Sequence, residues 1–118
     1  MSETRVSEPL VQGAILRLLA GGQIWTNAAI KRELEKTLPL SRADRVTANF
    51  RPNEEKWHEL VNNALSASRG NSLIAEGSVE TVERGHHRIT DKGRNRLQYM
   101  DIIAVGAANL LTKANASD

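Results

Sequence analysis

The fold is decided by the stretch VETVERGHHRITD, residues 79–91. Val79 to Glu83 alternates in polarity and carries β-branched residues, which favour a strand. Arg84-Gly85 is typical of a tight turn, and His86 to Thr90 predicts a second strand running back. Thr90 or Asp91 then caps a helix whose sequence continues to Lys113. The stretch therefore predicts a β-hairpin followed by a C-terminal helix.

Upstream of this hairpin, apolar residues at helical spacing predict three helices. We expect the first from about Glu8 to Ala20, with Ser7 as its N-cap. The second begins at a Thr26 or Asn27 cap and ends near Thr37. The third follows an Asn53 cap. Its apolar stripe comprises Trp57, Leu60, Val61, Ala64 and Leu65.

Three shorter segments connect these helices. Gln23 to Trp25 predicts a short extended piece, and Leu73 to Ala75 a short apolar strand. Arg51 to Asn53 predicts a loop, because a residue before proline avoids the helical region. We expect Trp25 to lie in the core, with stacking on a nucleic-acid base as the alternative.

The element order predicts an α+β, mostly α protein with the winged helix-turn-helix arrangement. Three helices precede a hairpin, the wing, and a C-terminal helix follows it. In such a fold the third helix can enter a DNA major groove. We expect the winged-helix domain to span residues 8–98. Its flanks are a flexible start at 1–7, a C-terminal helix at 99–113 that packs or dimerises, and a flexible tail at 114–118.

Positive charge is concentrated in one segment. The whole chain carries a formal net charge of only +2. Residues 84–96 nevertheless contain Arg84, Arg88, Lys92, Arg94 and Arg96 against a single acid, Asp91. Such a cluster attracts polyanions, because phosphate contacts release condensed counterions. A solvated turn with no ligand is the alternative.

The sequence also resembles a known family. The similarity lies in WHELVNNAL at 57–65, SLIA at 72–75 and ERGHHRITDKGR at 83–94. These runs resemble the N-terminal winged-helix domain of Mrr-type restriction proteins over roughly residues 8 to 98. The resemblance implies a DNA-binding domain in a restriction or defence system, and related domains read methylated bases. In that family a nuclease follows the domain. This sequence departs from that pattern, since about twenty residues follow the winged helix, so the resemblance does not carry restriction activity over to it.

Candidate DNA contacts fall into two groups. On the third helix, Asn62 and Asn63 can bond adenine, and Glu59 and His58 stand beside them as further base-reading candidates. Glu55 and Glu59 would repel phosphate, which leaves two alternatives open: the carboxylates accept from cytosine N4, or the third helix binds a protein. The predicted phosphate-binding residues flank the third helix or lie in the wing: Arg42, Arg45, Arg51, Lys56, Arg84, His86, Arg88, Lys92 and Arg94.

Other function classes have little support in the sequence. The chain has no cysteine, which excludes thiolate chemistry. His86 and His87 point to opposite faces of a strand and cannot share one metal ion. We expect no catalysis, no metal and no cofactor. The apolar tract at 102–111 is too short to span a bilayer, so we expect a cytoplasmic protein without membrane contact.

Two functional hypotheses remain from the sequence. The first is a non-catalytic double-stranded DNA-binding protein, either a reader of methylated DNA in a restriction system or a small transcription regulator. The second is a protein-interaction winged helix that recruits a separate nuclease or effector subunit. In either case the apolar C-terminal helix favours a homodimer, since Ala104, Gly106, Ala107 and Ala108 allow close helix approach.

Overall fold

The computed structural model describes residues 5–48 and 51–116, with side chains described at 5–48 and 53–103. It is an α+β fold with four helices and two small antiparallel sheets. The helices are α1 (Glu8–Leu19), α2 (Asn27–Thr37), α3 (Lys56–Ala64) and α4 (Asp91–Ala116). The strands are β1 (Trp25–Thr26), β2 (Thr47–Ala48), β3 (Arg51–Glu55), β4 (Val79–Glu83) and β5 (His86–Ile89).

The predicted helix starts at α1 and α2 are confirmed. Ser7 caps α1 by accepting the Leu10 amide at 3.3 Å, with Pro9 in the first turn. Of the two caps considered for α2, Thr26 is correct, and its hydroxyl accepts the Ala29 amide at 3.1 Å. Such caps satisfy backbone N–H groups that have no partner within the helix.

The predicted hairpin is also confirmed, and it belongs to a three-stranded sheet of order β1-β5-β4. Trp25 pairs with His87 and Thr26 with His86, so the strand after α1 adds to the edge of the hairpin. Register shifts between Thr81 and Glu83, close to the turn. Gly85 adopts a φ of 76°, which favours glycine at this turn. The sheet thus joins the start of α2 to the turn of the hairpin.

Two local predictions are wrong. Asn53 does not cap α3, and residues 51–53 are not a loop, because they belong to strand β3. Pairing of Thr47 with Glu55 keeps the chain extended to the end of β3, and α3 begins only at Lys56. The expected strand at Leu73–Ala75 is a series of turns. There the Leu73 side chain is buried, and the Ser72 hydroxyl accepts the Ala75 amide.

The core is aliphatic around one tryptophan. Trp57 is fully buried on α3 and packs in one cluster with residues of α1, α2 and the hairpin. Trp25 is half-buried and packs against this cluster, as expected. The N-terminal segment is attached through buried Asp44, whose carboxylate accepts the Val6 amide at 3.1 Å and the Ser41 amide at 3.0 Å.

The start of α4 packs against the hairpin through Gly93. A Cβ atom at this position would collide with the Ser78 carbonyl oxygen and the Ile89 side chain. We predict that Gly93→Ala lowers the free energy of unfolding by about 1–3 kcal/mol, the usual cost of overpacking. Urea denaturation measures this. Gly70→Ala is the matched control, because a Cβ atom there would meet no packed neighbour within 4 Å. Equal stability of the two variants would contradict this packing.

Candidate functional site

The turn of the hairpin contacts the first residue of α2. The Asn27 amide donates to the Gly85 carbonyl at 3.2 Å. The Asn27 side chain reaches the same hairpin, because its Oδ1 lies 2.6 Å from His87 Nε2. One residue therefore fixes the position of Arg84 and His86 relative to the N-terminus of α2.

His87 is buried within this contact. Its Nδ1 lies 3.0 Å from the Thr81 hydroxyl, opposite the bond to Asn27. The amide oxygen of Asn27 only accepts, so Nε2 carries the proton and Nδ1 accepts from Thr81. Burial lowers the pKa of His87 below its ordinary value of 6.5, and neighbouring His86 lowers it further. Folding therefore favours the neutral form of the His87 imidazole.

A second series of contacts joins α2 to α3. Lys31 forms an ion pair with the Glu54 carboxylate, whose other oxygen accepts from Asn62 Nδ2 at 3.2 Å. A groove of about 570 Å³ runs between the first half of α2 and the β3–α3 junction. We call the hairpin turn (84–86), the first half of α2 (27–31) and the outer face of α3 (Glu59, Asn62 and Asn63) the candidate surface. Hydrogen bonds and an ion pair connect these three parts.

The four predicted base-reading residues occupy different positions. Glu59 is exposed, and Asn62 and Asn63 are half-buried on the same outer part of α3. His58 lies one turn before Asn62 on the same helix. Its Nδ1 accepts the Glu55 amide at 3.1 Å, and its ring contacts Trp57 with centroids 4.3 Å apart. Burial, and then the charge of Lys31, lower the pKa of His58. His58 thus belongs to the N-terminal cap of α3 and lines the groove.

Some of the predicted phosphate-binding cations are available for a ligand. Arg84 is exposed, Arg42 is exposed, and Lys56 is half-buried at the first position of α3. Among the described side chains, none of these three forms an ion pair. His86 lies at the hairpin turn, where its Nδ1 is 3.0 Å from the Arg84 carbonyl oxygen. The side chain of Arg51 lies outside the described residues.

Other cations are neutralised within the protein. Arg45 contacts Glu35 at 2.9 Å and Glu55 at 3.3 Å. Arg88 contacts Glu80 at 2.8 Å, directly across the hairpin. Arg94 contacts Asp91 at 3.3 Å. The positive charges of Arg45, Arg88 and Arg94 are therefore offset mainly by these carboxylates.

The basic segment at 84–96 does not form one cluster. Strand β5 carries the chain about 10 Å from the turn, at roughly 3.3 Å per residue. Lys92 and Arg94 lie beyond its far end, where Lys92 donates to the Glu76 carbonyl and Arg94 approaches Gly22. The structure brings Arg84 and His86 to the candidate surface and leaves Lys92 and Arg94 at the opposite end of the hairpin.

Sequence reasoning missed two residues of this surface, Asn27 and Lys31, and Glu54 beside it. Asn27 was considered only as a helix cap, whereas it binds both the hairpin turn and His87. Lys31 and Glu54 are 23 positions apart and meet across the groove between α2 and the β3–α3 junction. The polar sequence of residues 51–55 does not indicate that they form strand β3.

Comparison with protein-family models, curated proteins and solved structures finds no match to this chain. Within the described residues, no group of three or more His, Asp or Glu side chains is arranged to hold a metal ion. Over the same part of the chain, no helix has the length and apolar character needed to cross a bilayer.

The two histidines with lowered pKa predict a pH dependence of stability. In the unfolded chain His58 and His87 take up a proton near pH 6.5, whereas in the folded chain they take it up only at lower pH. The contribution of these two histidines to the free energy of unfolding should have its full value above about pH 6.5. It should decrease as the pH falls below that value. Urea denaturation at about pH 7.5 and about pH 5.5 measures the difference, and His87→Gln should reduce it. An unchanged difference in the double variant His58→Gln/His87→Gln would contradict this assignment.

Proposed function

We propose that this chain is a non-catalytic, winged-helix DNA-binding protein whose candidate surface faces the duplex. In this proposal α2 and α3 are the helix-turn-helix unit, and β4–β5 is the wing. The contact of Asn27 with Gly85 and His87 is the observation that carries the proposal. It brings the wing turn to the N-terminus of α2, where the helix dipole favours phosphate.

The charge of Arg84 supports the same function. Arg84 has no acidic partner among the described side chains, so phosphate can pair with it without breaking an existing ion pair. Arg42 and Lys56, which lie outside the candidate surface, are also unpaired among the described side chains. Phosphate contacts position a protein on DNA but carry no sequence information. Sequence readout therefore falls to α3 in this proposal.

Asn62 is the strongest candidate for base reading. Its Nδ2 donates one hydrogen to Glu54, and Glu54 is itself held by Lys31. The second hydrogen and the amide oxygen remain available for the bidentate contact that asparagine makes with adenine. The ion pair thus orients the amide before DNA arrives. This orientation lowers the entropy lost on binding.

The connection between α2 and α3 is longer than the standard motif. A helix-turn-helix unit uses a turn of about 3–4 residues, whereas here residues 38–55 intervene and include the β2–β3 ribbon. The proposal gives this ribbon the role of orienting α3, since Lys56 and Trp57 donate their amides to the carbonyls of Val46 and Asp44.

A second candidate function is supported by Glu59. This exposed carboxylate lies on the outer face of α3, where it would repel phosphate. A basic protein partner, such as a separate nuclease or effector subunit, would be attracted by it. DNA binding at low salt separates the two functions, because a purely protein-binding surface gives none.

We expect Arg84→Ala to weaken duplex binding about equally on all sequences and to lower the salt slope by about one. Fluorescence anisotropy with labelled duplexes at two salt concentrations measures both quantities. Lys36→Ala is the matched control, because Lys36 lies in the last turn of α2 and pairs with Glu33. Equal effects of the two variants would contradict the placement of the surface.

We expect Asn62→Ala to cost about 1–3 kcal/mol on the preferred site and to relax specificity there. Duplexes that are unmodified, N6-methyladenine-containing or 5-methylcytosine-containing form the probe set. Preference for a methylated probe supports a role in reading modified DNA, whereas equal binding to all three probes excludes that role and retains DNA binding. Absence of binding to all three at low salt would overturn the DNA-binding proposal.

A further inference from the structure

An apolar groove lies between α1 and α2, away from the candidate surface. It encloses about 660 Å³. Leu10, Ala14 and Leu18 of α1 form one wall, Leu38 lies opposite, and Met100 of α4 lies at the edge. Both charged side chains at the rim are already paired, Arg17 with Asp101 at 2.7 Å and Glu33 with Lys36 at 2.9 Å. The groove is therefore an apolar surface, and the charged side chains at its rim are already paired.

Helix α4 leaves the body of the protein beside this groove. Met100 packs closely on Gly13, where a Cβ atom would lie 3.0 Å from the methionine methyl group. The ion pair of Arg17 with Asp101 follows. The next residues, Ile102 and Ile103, are 62 % and 54 % exposed. From Ile103 the helix continues to Ala116, about 20 Å further at about 1.5 Å per residue.

The distal part of α4 matches the groove in polarity and length. Residues 102–112 contain no charged side chain. At about 1.5 Å per residue they span roughly 16 Å of helix, and the wall of α1 from Pro9 to Leu18 spans roughly 15 Å. Ile102 and Ile103, which follow Met100 on the same continuous helix, are exposed and do not line this groove. A second copy of the chain can supply the same segment.

We propose that residues 102–112 of one copy occupy the α1–α2 groove of a second copy, and that the exchange is reciprocal. A two-fold interface uses the same patch on both subunits, so each copy contributes one helix segment and one groove. This dimer is independent of the proposed DNA binding and is tested without DNA.

Sedimentation equilibrium tests the dimer and its location. The wild-type chain should be dimeric at micromolar concentration. Leu10→Asp in the groove and Ile103→Asp on α4 should each raise the dimer dissociation constant by about 100-fold or more, because each places a carboxylate in an apolar contact. Ile24→Asp and Val46→Asp are matched controls, since these side chains are 53 % and 48 % exposed outside the groove. The controls should remain dimeric.

Mixing the two interface variants tests reciprocal exchange. A heterodimer of Leu10→Asp with Ile103→Asp keeps one groove–helix contact in which both residues are native. In each homodimer, both groove–helix contacts contain a carboxylate. The mixture should therefore dimerise more tightly than either variant alone. Circular dichroism of each variant verifies that it is folded. A monomeric wild-type chain overturns the proposal, and so does a folded Leu10→Asp variant that remains as dimeric as the controls.

Discussion

The double attachment of Asn27 to the hairpin is the contact on which the candidate surface depends. Its amide binds Gly85 and its side chain binds buried His87. A two-stranded hairpin is only marginally stable in water without further packing. Here β1 pairs with strand β5 of the hairpin, and the start of α2 contacts the hairpin turn. Because buried hydrogen bonds are costly to leave unmade, the turn keeps one position relative to α2.

Ion pairing decides which cations can serve a ligand. Exposed pairs such as Arg88 with Glu80 contribute little stability, about 0–1 kcal/mol, yet they cancel local positive charge. Arg84 and Arg42 retain theirs among the described side chains. The electrostatic attraction for phosphate is consequently local to a few positions, although the linear sequence suggests a longer basic segment.

Elements with strong periodicity and caps could be predicted from the sequence. The helices α1 and α2 follow from their apolar stripes with Ser7 and Thr26 caps, and the hairpin follows from alternation around Arg84-Gly85. Strand β3 could not be predicted, because Pro52 and Asn53 are typical of loops and the strand exists only through pairing with β2. Its pairing with β2 is also what displaces the start of α3 from the predicted Asn53 cap.

The site was harder to predict than the fold for the same reason. Lys31, Glu54 and Asn62 come together only through tertiary packing of three elements. The count of charges along residues 84–96 could not show that β5 separates Arg84 from Arg94. His58, although adjacent to the predicted recognition residues, is used to cap α3.

Amide chemical-shift mapping of the labelled protein with a DNA duplex tests the central claim most directly. Duplex addition should shift the amides of Arg84 to His86, of Asn27 to Lys31 and of Glu59 to Asn63. The amides of the first turn of α1 and of the last turn of α2 should not move. Shifts confined to α1 and α4, or none at low salt, would contradict the account.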